Sequence, residues 1–161
     1  QCLGKLVVRD QFARAPIRRR EAAFVRIDAS SKRRSGTGAP GEAFQRDERW
    51  GAVALADSTG EIALDTRAAR VELDVDRHVP REFTTNLVGP PPAELAAWIA
   101  SRDLEPRDER GAAAGHVTVS EWIMDAGDPV AVLGRVVDGD GPYRGTTVLR
   151  VERLRLLVPK Y

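Results

Sequence analysis

Few residues in this 161-residue chain have the types and spacing that chemistry needs. His78 and His116 stand 38 residues apart, and neither belongs to a metal-ligand pair or faces a serine or cysteine in a catalytic spacing. Each reads as a surface residue. The single cysteine, Cys2, excludes an internal disulfide and a cysteine-rich metal site, and reads as a small apolar member of a first strand. Asp138-Gly139-Asp140-Gly141-Pro142 opens like a calcium loop, but Pro142 and Leu149 occupy the fifth and twelfth positions where oxygen ligands are required. A hairpin turn accounts for it better. No serine sits in a nucleophile elbow and no glycine-rich phosphate loop is present. Asp74, Asp76 and Asp125 read as solvated carboxylates. The expectation is no catalytic residue, no metal and no cofactor.

Binding is a better prospect. Arg18-Arg19-Arg20 and Lys32-Arg33-Arg34 flank a strand-like run, which would set both clusters at one edge or end of the domain. Such clusters suit anionic lipid headgroups, at about 1 kcal/mol per residue near a membrane surface. The plainer reading is a pair of solvated loops. Nucleic acid would call for aromatic side chains interleaved on a strand face, and only Phe24 is near. A groove between a helix and a sheet, lined by Leu95 and Trp98, is the other candidate and would take a peptide or small ligand. Trp50, Trp98 and Trp122 otherwise read as packing residues.

The elements that would position these residues are mostly strands. Leu3–Val8, Ala22–Asp28, Trp50–Asp57, Glu61–Asp65, Arg70–Val75, His116–Met124, Pro129–Val137 and Thr146–Leu157 have strand composition with turn residues between them. Ser30–Glu42 and Glu105–Gly115 read as loops. One helix is expected over Ala93–Ser101, where Leu95, Trp98 and Ile99 fall at i, i+3 and i+4 behind Pro91-Pro92 and with Glu94 in the first turn. The fold class is therefore mainly β: a small, partly open barrel or sandwich of about eight strands with one covering α-helix and long loops, one domain over residues 1–161.

Charge is uneven, with twelve Lys and Arg against six Asp and Glu in residues 1–50, and thirteen against eighteen in the rest. The two halves can neutralise each other on folding. Twenty-two arginines against three lysines, with abundant alanine and glycine, suggest a GC-rich bacterial source. No apolar run reaches the roughly 18 residues that span a bilayer, and no signal-peptide pattern occurs. Strand-like sequence reaches almost to Gln1 and runs to Val158–Tyr161, so a piece of a longer protein is expected.

Two blocks carry a resemblance. The first runs Val53-Ala-Leu-Ala-Asp57-Ser-Thr59-Gly60-Glu-Ile62-Ala-Leu64-Asp65 and continues to Ala68-Ala69-Arg-Val71-Glu-Leu73. The second runs Glu121-Trp-Ile-Met-Asp125-Ala-Gly127-Asp128-Pro129-Val130-Ala-Val132-Leu133-Gly134. Together they resemble the GIDE domain, also called BAM ("beside a membrane"). Gly4–Val8, Ala15-Pro16-Ile17, Ala22–Val25 and the helix at Ala93–Ser101 are similar to the family's remaining segments. Ala54, Ala56 and Arg67 depart from its pattern. The family occurs in membrane-anchored proteins, including RING ubiquitin ligases of the mitochondrial outer membrane. The resemblance implies a module held beside a membrane by segments outside this chain. It implies no ligase chemistry, since a RING needs eight zinc ligands.

Read as residues, Asp57, Thr59 and Gly60 build a hairpin turn, and Gly127, Asp128 and Pro129 a tight strand reversal. Gly134 marks a bulge or a close backbone approach. The leading expectation is a non-catalytic, membrane-adjacent binding or sensing module that contacts a protein, peptide or lipid partner. The alternatives are an OB-like nucleic-acid-binding domain and an accessory domain of a ubiquitin-ligase-like protein.

Overall fold

The structure, a computed structural model, describes residues 1–33, 42–87 and 89–157. Among these residues it is mainly β, with one α-helix. The strands are β1 (Cys2–Val8), β2 (Ala13–Ala15), β3 (Arg20–Ala22), β4 (Phe24–Arg33), β5 (Glu42–Trp50), β6 (Val53–Asp57), β7 (Gly60–Asp65), β8 (Arg70–Glu72), β9 (Arg81–Thr84), β10 (Gly115–Met124), β11 (Pro129–Asp138) and β12 (Thr147–Leu156). Helix α1 (Ala93–Ser101) lies between β9 and β10.

Five strands pair around a ring. β1 pairs β6, β6 pairs β7, β7 runs parallel to β12, β12 pairs β11, and β11 returns to β1. Numbered by their order along the chain, the ring strands neighbour one another as 1-2-3-5-4-1. That is the connection order of the Greek-key OB barrel. Leu6, Leu55, Leu64, Val130, Val132, Val151 and Leu154 fill its interior at period-two positions.

A second sheet, ordered β5-β4-β10-β9, is built from the two long excursions the chain makes out of the ring. Val25, Ile27 and Ala29 of β4 and Val117, Val119 and Ile123 of β10 face Leu95, Trp98 and Ile99 of α1 in a separate core. At the other face Phe24 and Met124 join the barrel core, and Trp50 packs on Phe24 with ring centroids 4.6 Å apart. Both faces of β4 are thus covered near its start, which is why Ala22–Ile27 reads as an almost unbroken apolar run.

The chain crosses between sheets at tight corners. Trp50–Asp57, expected as one strand, divides at Gly51, whose N–H donates to Ala23 O (2.9 Å). A Cβ at Gly51 would stand 2.5 Å from Gln11 O, so the corner tolerates no side chain there. β2, β3, β5 and β9 were not expected as strands. Ser30–Arg33, expected in a loop, belong to β4, and Glu42 opens β5; residues 34–41, Arg34 included, lie outside the described residues.

Candidate functional site

The first motif block forms its hairpin through Asp57. Asp57 Oδ1 accepts from Thr59 N (2.7 Å), Thr59 Oγ1 (2.5 Å) and Gly60 N (3.2 Å), and Gly60 has φ +146°. The Thr59 hydroxyl, followed by the two backbone N–H groups, holds the Asp57 carboxyl below the usual carboxylate range. At the far end of β7, Asp65 is buried and accepts from Arg67 Nε (2.9 Å) and Arg67 Nη2 (2.7 Å), with Arg150 at 3.5 Å. Arg67 also pairs with Asp140 and lies 5.3 Å from the Tyr143 ring centroid. The segment that began like a calcium loop is therefore the β11–β12 turn, clamped to β7 by guanidinium groups.

The second block makes a corner rather than a hairpin. β10 and β11 belong to different sheets, and Asp125–Asp128 carries the chain from one to the other. Asp125 N donates to Asp128 Oδ2 (2.7 Å), Gly127 N donates to Leu6 O (2.7 Å), and Gly127 has φ +93°. Pro129 starts β11. Gly134 sits where the β11–β12 register slips, and a Cβ there would come within 2.2 Å of Arg150 O. Of these turn residues, Asp57 and Gly127 line one shallow groove beside β1, together with Val7 and Phe12. Gly60 and Gly134 do not line it.

The basic clusters do not share an end. They flank β4, whose ten residues span about 30 Å. At one end, Arg18 Nη1 donates to Glu121 Oε1 (2.9 Å) and Glu121 O (2.8 Å), and Arg20 chelates Asp125 at 2.6 and 3.2 Å. Arg19, in a left-handed conformation with φ +55°, is exposed. At the other end Lys32 is exposed and Arg33 donates to Arg107 O (2.9 Å).

Glu121 is the residue that sequence reasoning missed. It is fully buried and accepts from Ile17 N (2.6 Å), Arg18 N (3.1 Å) and the Arg18 guanidinium. The signal was present: Glu121 falls at a core-facing position of the alternation Val117, Val119, Glu121, Ile123. His78, expected at the surface, is buried at 2% exposure, and its carbonyl accepts from Trp122 Nε1 (3.0 Å). Segment 73–79 folds over β10 there, which a local reading of an Asp- and Arg-rich stretch does not show. Among the described residues no three His, Cys, Asp or Glu side chains gather as a metal site.

Leu95 and Trp98 do not line a groove. Both are core residues, at 0% and 5% exposure, because the stripe at i and i+3 turns inward onto β4 and β10. Trp98 Nε1 donates to Asp47 Oδ2 (3.2 Å), on which Arg49 and Arg102 also converge at 3.2 Å. Burial pushes the Asp47 carboxyl up, but the indole and both guanidinium groups together outweigh it and hold the carboxyl below its usual range. The open concavity lies on the next face of α1. A cleft of about 550 Å³ is bounded by Leu87, Pro90 and Pro91 on one side and Ala96, Ile99, Ala100 and Leu104 on the other. Asn86, Asp103, Glu105 and Arg107 add polar groups to its lining.

No protein-family model, no curated protein and no solved structure matches this chain. No helix among the described residues is long and apolar enough to cross a membrane.

Proposed function

We propose that this domain is a non-catalytic binding module, held beside a membrane, whose α1 cleft receives a peptide segment of a partner protein. The cleft carries the reading. It combines apolar side chains from α1 and the proline turn with the polar groups of Asn86, Asp103, Glu105 and Arg107. The carboxylates that sequence or burial makes conspicuous, Asp57, Asp65 and Glu121, are instead saturated by turn amides or arginines. The membrane half of the reading rests on the likeness of the two motif blocks to the GIDE/BAM family.

Selection of a random peptide library on the protein tests the first half. Enrichment of apolar-anchored peptides that lose binding to Ala100→Arg is expected, since Ala100 is an exposed wall of the cleft. No enrichment, or binding indifferent to that substitution, overturns it. For the second half, the full product of the gene is expected to sediment with membranes and to resist extraction by salt. Complete release by salt removes it.

A second reading, an oligonucleotide-binding barrel, draws support from the 1-2-3-5-4-1 strand order. Strand order alone is fold-level analogy.

A further inference from the structure

β5 ends the second sheet, and no described strand pairs with its outer edge. No backbone group of residues 42–50 bonds to backbone outside the sheet among the described residues. The strand has nine residues, contains no proline, and pairs with β4 without a register break. Among the described residues it lacks the usual protections of an edge, namely brevity, a bulge or a covering strand, and keeps only charge. At the centre of the strand that charge is balanced, since Arg46, Asp47, Glu48 and Arg49 sum to zero, and Glu42 at its start leaves the whole strand at −1, too little to repel a like strand strongly. Phe44 on the same strand is 64% exposed.

We propose that β5 pairs antiparallel with β5 of a second copy of this chain, about a twofold axis through Asp47, to make one continuous eight-stranded sheet. The charge pattern selects both the occupant and the register. Within one sheet, Arg26 stands beside Glu48 (3.1 Å) and Asp28 beside Arg46 (2.7 Å), on the face away from α1. An axis at Asp47 sets Arg46 against Glu48 of the second copy. Each row across the seam then reads Asp28, Arg46, Glu48, Arg26, with signs alternating through four strands. An axis at Arg46 or at Glu48 sets that residue against itself, and one at Gln45 sets Arg46 against Phe44. On the α1 face Gln45 meets Arg49, an amide opposite a guanidinium. Asp47 meets its own copy there, but each Asp47 already holds Arg49, Arg102 and the Trp98 indole, so two carboxylates face four guanidinium groups. Phe44 comes beside Trp50 of the second copy at either end of the seam. Pairing two edges buries a small area, so the association is weak and is favoured by high protein concentration.

Sedimentation equilibrium of the protein, of Arg46→Glu, of Glu48→Arg and of an equimolar mixture of the two variants tests this. The wild type is expected to approach twice the monomer mass. Each variant alone puts like charges across the seam and is expected to stay monomeric. The mixture restores opposite charges at both contacts and is expected to regain the dimer, an outcome that misfolding of either variant does not produce. A wild type that stays monomeric overturns the proposal and leaves the edge to an extended segment of another protein. A dimer indifferent to both variants, or a mixture that stays monomeric, also overturns it. The α1-cleft reading stands or falls separately, because no residue of β5 lines that cleft.

Discussion

The Glu121 carboxylate, buried in the α1-facing core, lies 2.9 Å from the Arg18 guanidinium across 103 residues of sequence. It also accepts the backbone N–H groups of Ile17 and Arg18, at 2.6 and 3.1 Å. One side chain of the second sheet thereby fixes the turn between β2 and β3. The same turn carries the first basic cluster, so this pair also decides which arginines remain outside.

Breaking the pair is expected to be costly. Glu121→Ala leaves two buried N–H groups and a guanidinium without their acceptor, a loss of about 3–5 kcal/mol. For a domain of this size that lowers Tm by roughly 10 °C. Glu121→Gln, which keeps an acceptor oxygen, is expected to cost less than Glu121→Ala. Urea unfolding of the two variants checks the order, and equal stability would show that the carboxylate is not holding the turn.

Acid is expected to loosen the β7 clamp. The Arg67 side chain, its backbone N–H and Arg150 hold the Asp65 carboxyl down to about 2 from its ordinary 3.8, against the burial that opposes them. Because the folded value is the lower one, the stabilisation is fully present above pH 3.8. It is lost as pH falls through about 2. Its size is up to about 2 kcal/mol. Asp65→Asn should therefore be less stable than the wild type at neutral pH, and the difference should close between about pH 4 and pH 2. Denaturant midpoints measured across that range check it.

The legible parts of this fold are those where one face is buried and the other is not. Val71 and the hairpin Val53–Asp65 gave their strands away by alternation, although the strand expected over Arg70–Val75 stops at Glu72 and leaves Val75 exposed, and Leu95, Trp98 and Ile99 gave away the helix. β5 was illegible for the opposite reason: its residues Ala43–Arg46 and Glu48 are exposed, so Glu-Ala-Phe-Gln-Arg-Asp-Glu-Arg-Trp shows no apolar period. Only pairing with β4 makes it a strand. The candidate site was half legible. Sequence pointed to α1, but the stripe of Leu95 and Trp98 that signals a helix is the stripe that packs inward, so it marked the buried face and not the cleft. The separation of the basic clusters was legible but misread, because one cluster precedes the strand and the other closes it, and an extended run of ten residues sets its two ends about 30 Å apart.

Two glycines of the second block should respond differently to alanine. Gly134 has no room: an added Cβ meets Arg150 O at 2.2 Å and Arg150 C at 3.0 Å, both backbone. Gly134→Ala must separate β11 from β12 at the bulge, and a cost of about 2–3 kcal/mol is expected. Gly127 has open space around its Cβ position but a φ of +93°. Gly127→Ala is expected to cost about 1–2 kcal/mol through backbone strain alone. Thermal unfolding of both variants checks the ranking. A Gly134→Ala protein as stable as the wild type would mean that the two strands are not held this close.

The OB-type ring makes nucleic acid the natural competitor of the peptide reading, and its surface argues against that ligand. Binding of single strands needs aromatic faces for the bases and a continuous track of cations for the phosphates. β6 and β7 carry no aromatic residue, and Tyr143 on the adjoining turn has Arg67 over its ring. Arg18 and Arg20 are tied to Glu121 and Asp125, and exposed Arg19 and Lys32 stand at opposite ends of β4. No saturable binding of a mixed-sequence single-stranded DNA is therefore expected at low salt, measured by fluorescence anisotropy. Saturable binding that weakens as salt rises, with the log–log slope of counterion release, would favour the nucleic-acid reading instead.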